Sequence, residues 1–301
     1  MRYVSIREAA IKWGITPRRV QQMCKAGEIK GAMKQGRSWS IPENAVPNLT
    51  KKITTRTGML PLPIGISGYV EAASNYYYID KTLMLRDFID ARTKVSLFTR
   101  PRRFGKTLNM DMLRVFFEKT ENDTSIYFKD KAIWSCGEYY RSFQGKYPVI
   151  YLTFKDVKYD SWEKAVKNVS EIMAAEYARH DSLIRSEKCN SLEKNYYQKV
   201  IEGNADDVDL ARSLYMLSAM LRKHYGIEAI IIIDEYDTPI QQGYESGYYD
   251  QVIAFIRNLF SGAFKDNSNL AFGFLTGILR VAKESIFSGL NNLILISNKK
   301  L

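Results

Sequence analysis

Four consecutive isoleucines, Ile230 to Ile233, run straight into Asp234 and Glu235. No other stretch limits the fold as much. An unbroken β-branched run has no solvent face, so it reads as a strand covered on both sides, the mark of a parallel sheet in an α/β protein. The two acids then fall at its carboxyl end, where open parallel sheets place their ligands. Residues 95–99, 149–154 and 270–276 read as further strands, and 293–297 as a last one. Amphipathic helical stretches lie near 107–119, 161–180, 208–225 and 249–264. Strands alternating with helices predict an α/β fold with a largely parallel sheet.

The strand at 95–99 leads into Arg100-Pro101-Arg102-Arg103-Phe104-Gly105-Lys106-Thr107. A phosphate loop reads G-x-x-x-x-G-K-[ST] between a strand and a helix. The Gly-Lys-Thr end is intact, while Arg100 replaces the first glycine. In this reading Gly105 lets backbone N–H groups approach phosphate, Lys106 reaches the β- and γ-phosphates, and the Thr107 hydroxyl ligates Mg²⁺. Arg100, Arg102 and Arg103 add positive charge. Alone, the segment is either a broken phosphate loop or a basic loop capping a helix. The isoleucine run ending in Asp234-Glu235 is a Walker B arrangement, in which Asp234 holds Mg²⁺ and Glu235 polarises a water. Alone, two acids at a strand end are common. Both features, in order and each after a strand, read together as a P-loop NTPase that places the acids beside the phosphate loop.

Charge divides the chain. Residues 1–52 carry 11 Lys and Arg against 3 Asp and Glu, whereas the rest carries 33 against 30. A short, strongly basic segment preceding a nearly neutral body suggests a polyanion-binding module. Ser5 and Glu8 have capping-box spacing, and Ile6, Ala9, Ala10 and Trp13 follow one helical face. Gly14 stops that helix, and Thr16-Pro17 starts another. Val20, Met23 and Cys24 face inward there, which leaves Arg18, Arg19, Gln21, Gln22 and Lys25 outside. Residues 29–32 and 38–41, around a turn at 34–37, read as a two-stranded wing. The whole is a winged helix-turn-helix over residues 1–46. Its candidate DNA-binding residues are Arg18, Arg19, Gln22, Lys25, Lys34 and Arg37, with the second helix in the major groove of duplex DNA. The alternative is a small helical cap with a solvated basic face. A polar, proline-marked linker over 47–63 separates it from a body at 64–301.

Other classes are excluded. Cys24, Cys136 and Cys189 lie far apart, and only His180 and His224 exist, so neither a disulfide framework nor a multi-histidine metal site is expected. No apolar run reaches the roughly 18–20 residues that span a bilayer, and no signal-peptide core follows Met1. A cytoplasmic protein without a membrane partner is expected.

Two family resemblances follow from these residues. Ser5-Ile6-Arg7-Glu8-Ala9-Ala10, Trp13-Gly14-Ile15-Thr16, Arg19-Val20 and Gly36-Arg37-Ser38-Trp39-Ser40-Ile41-Pro42 resemble the excisionase-type, MerR-like DNA-binding domain. The body resembles the bacterial AAA-ATPase-like domain through several segments. They are Leu62-Pro63-Ile64-Gly65-Ile66, Tyr77-Tyr78-Ile79-Asp80-Lys81-Thr82, residues 99–108, Tyr147-Pro148-Val149-Ile150-Tyr151-Leu152, Ile233-Asp234-Glu235-Tyr236-Asp237 and Thr276-Gly277-Ile278-Leu279-Arg280-Val281-Ala282-Lys283. In that family Pro-Arg-Arg-Phe-Gly-Lys-Thr is the normal nucleotide loop, so Arg100 does not mark a dead site. The resemblance implies ATP contacts from Arg103, Phe104, Gly105, Lys106, Thr107, Leu108, Asp234 and Thr276, and Mg²⁺ ligation by Thr107 and Asp234. It implies catalytic roles for Lys106, Glu235 and Arg280, with Thr276 sensing the γ-phosphate. Arg280 is either a stabiliser of phosphoryl charge, in cis or across a homo-oligomer contact, or a surface salt-bridge partner. Asp80 either meets the base or caps a helix before Thr82. Tyr76, Tyr77 and Tyr78 read as packing. Asp237 either orients Glu235 or starts the turn before Pro239. Members of the family usually continue into a helical region, often with a PD-(D/E)XK nuclease-like domain. That domain is absent from this sequence, so no nuclease activity is expected.

The function expected is a DNA-associated P-loop ATPase that hydrolyses ATP with Mg²⁺. The alternative is a DNA-binding regulator whose nucleotide domain senses ATP without turnover. A phosphotransferase is a third reading, without an acceptor signature to support it.

Overall fold

The computed structural model describes residues 3–13, 15–27, 29–36, 38–43, 45, 60–101, 104–278, 287 and 293–296. The chain divides into two units, Met1–Asp80 and Lys81–Leu301.

In the smaller unit, β1 (Tyr3–Val4) precedes α1 (Ile6–Trp13) and α2 (Pro17–Lys25). The hairpin β2 (Met33–Gln35) and β3 (Ser38–Pro42) follows, then α3 (Tyr69–Asn75). The Ser5 N–H donates to Glu8 Oε2 at 2.7 Å and the Glu8 N–H to Ser5 Oγ at 3.3 Å, the reciprocal bonds of a capping box. Thr16 Oγ1 accepts the Arg19 N–H at 3.2 Å, and Pro17 occupies the first turn of α2. Ala9, Ala10, Val20, Met23, Cys24 and Ile41 close a small core. The wing differs from expectation. Residues 29–31 form a turn, closed by the Ala32 N–H donating to the Ile29 carbonyl at 3.2 Å. The strand begins at Met33, and Gln35 pairs directly with Ser38. The connection is therefore a two-residue loop entered by Gly36 at φ 60°, the length whose twist best matches a hairpin. β3 lies central and antiparallel, in the order β1-β3-β2.

The larger unit runs α4 (Leu83–Ala91), β4 (Val95–Thr99), α5 (Lys106–Phe117), α6 (Glu138–Arg141), β5 (Val149–Thr153), α7 (Trp162–Ala178) and α8 (Ser191–Ile201). It continues with α9 (Asp207–Tyr225), β6 (Ala229–Asp234), α10 (Thr238–Ser246), α11 (Tyr249–Phe264), β7 (Leu270–Gly277) and β8 (Leu293–Ile296). Five parallel strands lie in the order β5-β6-β7-β4-β8. Asp234 falls beside the start of α5, as expected, with Thr107 Oγ1 2.7 Å from its Oδ2, although β7 lies between the strand that carries it and the strand that enters the loop. After β4 the chain crosses to the far edge of the sheet and returns inward through β6 and β7. Nothing in the periodicity of single strands encodes that order.

The isoleucines of β6 are fully buried, as their pattern requires. Ile231, Ile233, Leu275, Leu97 and Ile150 share one face, packed under residues of α7, α9 and α11. On the other face aromatic rings meet: Phe88 lies 5.0 Å from both Phe98 and Phe274, and Phe117 stacks on Phe274 at 6.4 Å. Stacked and edge-on pairs of this kind add about 0.5–1.5 kcal/mol each beyond burial.

The outer edge of β5 is covered by side chains. Glu176 Oε1 accepts the Tyr151 N–H at 2.9 Å, and Arg179 Nη2 donates to the Val149 carbonyl at 2.9 Å. An ionic chain joins this edge to α5: Glu176 to Arg179 at 2.9 Å, Arg179 to Glu118 at 3.0 Å, Glu118 to Arg114 at 2.8 Å and Arg114 to Asp111 at 2.7 Å. The Arg114 guanidinium also lies over the Tyr151 ring, 5.8 Å from its centre. Burial pushes the Tyr151 phenol well above its usual range, and the Asp234 and Asp111 carboxylates push it the same way. Burial alone would lower Arg114, but Asp111 and Glu118 outweigh it and hold the guanidinium firmly charged. Among the described residues, no helix is long and apolar enough to cross a membrane.

Candidate functional site

The site lies at the carboxyl ends of β4, β6 and β7. Gly105, at φ 72°, is the N-terminal cap of α5, a left-handed conformation that only glycine adopts freely. A Cβ there would meet nothing within 4 Å, so the space above the helix start is open. The first N–H groups of a helix have no partner within it, so the start of α5 is a position that favours an anion. Phe104 beside it is 55% exposed.

Lys106 opens α5 and is largely buried. Its Nζ donates to the carbonyls of Arg100 at 2.9 Å and Pro101 at 3.1 Å, so the ammonium bridges the loop that precedes it. Thr107 Oγ1 donates to Asp234 Oδ2 at 2.7 Å. Asp234 is fully buried at the end of β6, and its other oxygen accepts from the Thr276 hydroxyl. A buried carboxylate is tolerated only with such partners. Both oxygens here are held by hydroxyls from neighbouring elements.

Thr276 also ties down the turn after β6. Its Oγ1 also accepts the Glu235 N–H at 3.3 Å, and its carbonyl accepts the Tyr236 N–H at 2.9 Å. Glu235 sits at φ 53°, an uncommon conformation for a residue with a side chain. Its carboxylate accepts the Thr238 hydroxyl at 3.4 Å. Leu108 follows in the first turn of α5, half-buried.

Asp237 starts the turn before Pro239, one of its two sequence readings, and does more. It is buried, and its Oδ2 accepts the Ile278 N–H at 2.8 Å and Gln241 Nε2 at 3.1 Å. It is the residue before α10, with Pro239 in the first turn, and its side chain, making no capping bond to that helix, reaches across to the end of β7. Thr82 precedes α4, and its hydroxyl accepts the Ile133 N–H at 3.1 Å. Asp80 is exposed in the loop before it. Arg102, Arg103 and Arg280 lie outside the described residues, as does Arg37 of the smaller unit. In that unit Arg18, Gln22, Lys25 and Lys34 are exposed and Arg19 is half-buried.

Hydrogen bonds thus bring together Thr107, Asp234, Glu235 and Thr276, the first pair 127 residues apart and Asp234 and Thr276 42 apart, with Lys106 next to Thr107 in the chain. Sequence reading missed Ile278, and it missed the Arg100 N–H, which donates to the Gly277 carbonyl at 3.2 Å. Backbone partners carry no side-chain signal.

A five-stranded parallel sheet, with a glycine-entered helix after a central strand and a buried aspartate two strands away, is the frame of a phosphate-loop-like α/β domain. The chain belongs to the AAA-ATPase-like family, described as predicted AAA-ATPases, whose model matches residues 63–287. That membership indicates nucleotide binding and, at the level of class, ATP hydrolysis. A similar protein from Azotobacter chroococcum mcd 1, described as an uncharacterized protein in vnfD 5'region, is 27% identical over 236 residues. The match covers 77% of this chain and 40% of the relative, so the chain spans about two fifths of that protein's length. No solved structure matches this chain.

Proposed function

We propose that this chain is a DNA-associated ATPase: its larger unit binds and hydrolyses ATP with Mg²⁺, and its smaller unit, a winged helix-turn-helix, binds duplex DNA. The observation that carries the first half is the buried Asp234 carboxylate, held by the Thr276 hydroxyl and by the hydroxyl of Thr107 in the first turn of α5. The donor set fits the ion, since a hydroxyl and a carboxylate 2.7 Å apart are the hard oxygen ligands that Mg²⁺ prefers. Bound through Thr107 and Asp234, Mg²⁺ would offset the charge of the β- and γ-phosphates. The chain's own groups do the rest. The first N–H groups of α5 cradle phosphate oxygens, and Lys106 leaves its loop carbonyls to donate to them. Glu235, projected by its left-handed backbone, takes a proton from the attacking water. Thr276 keeps the Asp234 carboxylate and the Glu235 backbone in fixed relation. Arg103, Phe104, Leu108 and Arg280 take the roles that the family resemblance implies.

Purified protein is expected to bind ATP in the presence of Mg²⁺ and release phosphate. Glu235→Gln is expected to keep binding within about threefold while turnover falls at least tenfold, because the amide cannot take the proton. Absence of ATP binding by the wild type would sink the reading. One observation favours the sensing alternative: the Lys106 ammonium already has two carbonyl partners and must give them up. Wild-type turnover that Glu235→Gln leaves unchanged would point to a contaminating activity and leave that alternative standing.

The DNA half rests on the basic balance of residues 1–52 and on the exposed Arg18, Gln22, Lys25 and Lys34. In gel shifts with the full chain, affinity for duplex DNA is expected to fall steeply with salt. Replacing Arg18, Arg19 and Lys25 with alanine is expected to weaken binding and flatten the salt slope by about one unit per lost phosphate contact. Salt-insensitive binding, or binding untouched by those changes, would overturn this half.

A further inference from the structure

We propose that Asp237 is a positioning residue for the hydrolytic step, acting by locking the end of β7 between the phosphate loop and the Asp234-Glu235 turn. This inference rests on the ATPase reading above. The β6–β7 ladder ends with Ile233 opposite Leu275. Beyond it, three bonds keep the two chains zipped: Glu235 N–H to Thr276 Oγ1 at 3.3 Å, Tyr236 N–H to the Thr276 carbonyl at 2.9 Å, and Ile278 N–H to Asp237 Oδ2 at 2.8 Å. The last is the only one of the three made by a carboxylate, and a charge-assisted bond of this type is about twice as strong as a neutral one.

From the opposite side, the Arg100 N–H donates to the Gly277 carbonyl at 3.2 Å. The tripeptide Thr276-Gly277-Ile278 is therefore gripped by the phosphate loop at its middle and by Asp237 at its end. Gly277 is the only residue type that the grip admits: a Cβ there would lie 2.7 Å from Tyr236 Cε1 and 2.8 Å from Asp237 Oδ1. Gln241, one turn along α10, donates to the same Asp237 oxygen at 3.1 Å and fixes the carboxylate. Releasing the lock would let Thr276 drift. Thr276 holds both the metal-side carboxylate and the backbone of Glu235, so the geometry of water activation would loosen while Gly105, Lys106 and Thr107 stayed intact.

The test pairs kinetics with hydrogen exchange on the full chain. Asp237→Ala is expected to lower kcat at least tenfold with KM for ATP changed less than threefold. It should also speed amide exchange in the peptide containing Ile278 at least tenfold in nucleotide-free protein. Asp237→Asn, whose carbonyl oxygen can still accept the Ile278 N–H, is expected to recover most of both. Gly277→Ala, which wedges the two chains apart, is expected to reproduce the kcat loss. Equal losses for Asp237→Ala and Asp237→Asn, or loss of KM and kcat together with a collapsed melting transition, would overturn the proposal. The two readings fail separately. A wild type without turnover removes the hydrolytic role, whereas unchanged Ile278 exchange in Asp237→Ala removes the lock even in an active enzyme.

Discussion

Lys106→Ala is expected to lower kcat/KM for ATP by about 10²–10³-fold, the scale seen when one preorganised donor to a charge-bearing transition state is removed. The fold is expected to survive. The ammonium's partners are the carbonyls of Arg100 and Pro101, in a loop where Pro101 is exposed and Arg100 half-exposed, so water replaces the lost donor. A denaturation midpoint within a few degrees of the wild type, alongside collapsed phosphate release, is the expected pair of results. Turnover that persists in Lys106→Ala would mean that the α5 N-terminus is not the phosphate site.

Glu176→Ala has the opposite profile and is expected to destabilise the larger unit by about 1–3 kcal/mol, the cost of leaving a buried hydrogen-bonding group without its partner, because Arg179 is partly exposed and keeps Glu118. Glu176 is 4% exposed and accepts from the Tyr151 N–H, from Arg179 Nε at 2.9 Å and from Arg179 Nη2 at 3.1 Å. Truncation leaves the guanidinium without its nearest counter-charge and an edge-strand N–H without an acceptor. Glu176→Gln keeps an acceptor for Tyr151 and should lose less. Urea unfolding of both variants checks this, and a loss below about 1 kcal/mol for Glu176→Ala would show that Glu118 alone can hold Arg179.

Lys106, Thr107, Asp234 and Glu235 stood out in the sequence because each lies in a local pattern, whereas Thr276 came only from the family resemblance. A glycine-lysine-threonine run opens a helix, and an apolar strand ends in acids. The strands and long helices were legible for the same reason, through periodicities of two and 3.6. What stayed hidden was relational. The order β6-β7-β4 depends on which crossover lands where, and a run such as Ile230 to Ile233 is equally apolar in any interior position. Asp237 looked like a turn residue because its partner, the Ile278 N–H, is backbone and lies 41 residues away. The wing slipped because residues 29–32 have strand-like composition, yet Gly31 at φ 80° turns the chain there, with a would-be Cβ 2.9 Å from Pro42 Cγ.

The insertion of β7 between β4 and β6 has a consequence for charge. Strands in a sheet are spaced by about 4.8 Å, so adjacent placement would bring the loop lysine and the strand-end acids within about one such step. At that range an ammonium and a carboxylate pair with each other, and the catalyst neutralises itself. The intervening strand doubles the spacing of the two strands to roughly 10 Å, and it is the Thr107 hydroxyl, not the neighbouring ammonium, that reaches the Asp234 carboxylate, at 2.7 Å. Lys106 rests on carbonyls, Asp234 on hydroxyls, and Glu235 beside Thr238. Each charge is thus held by neutral partners, the ammonium by carbonyls and the carboxylates by hydroxyls.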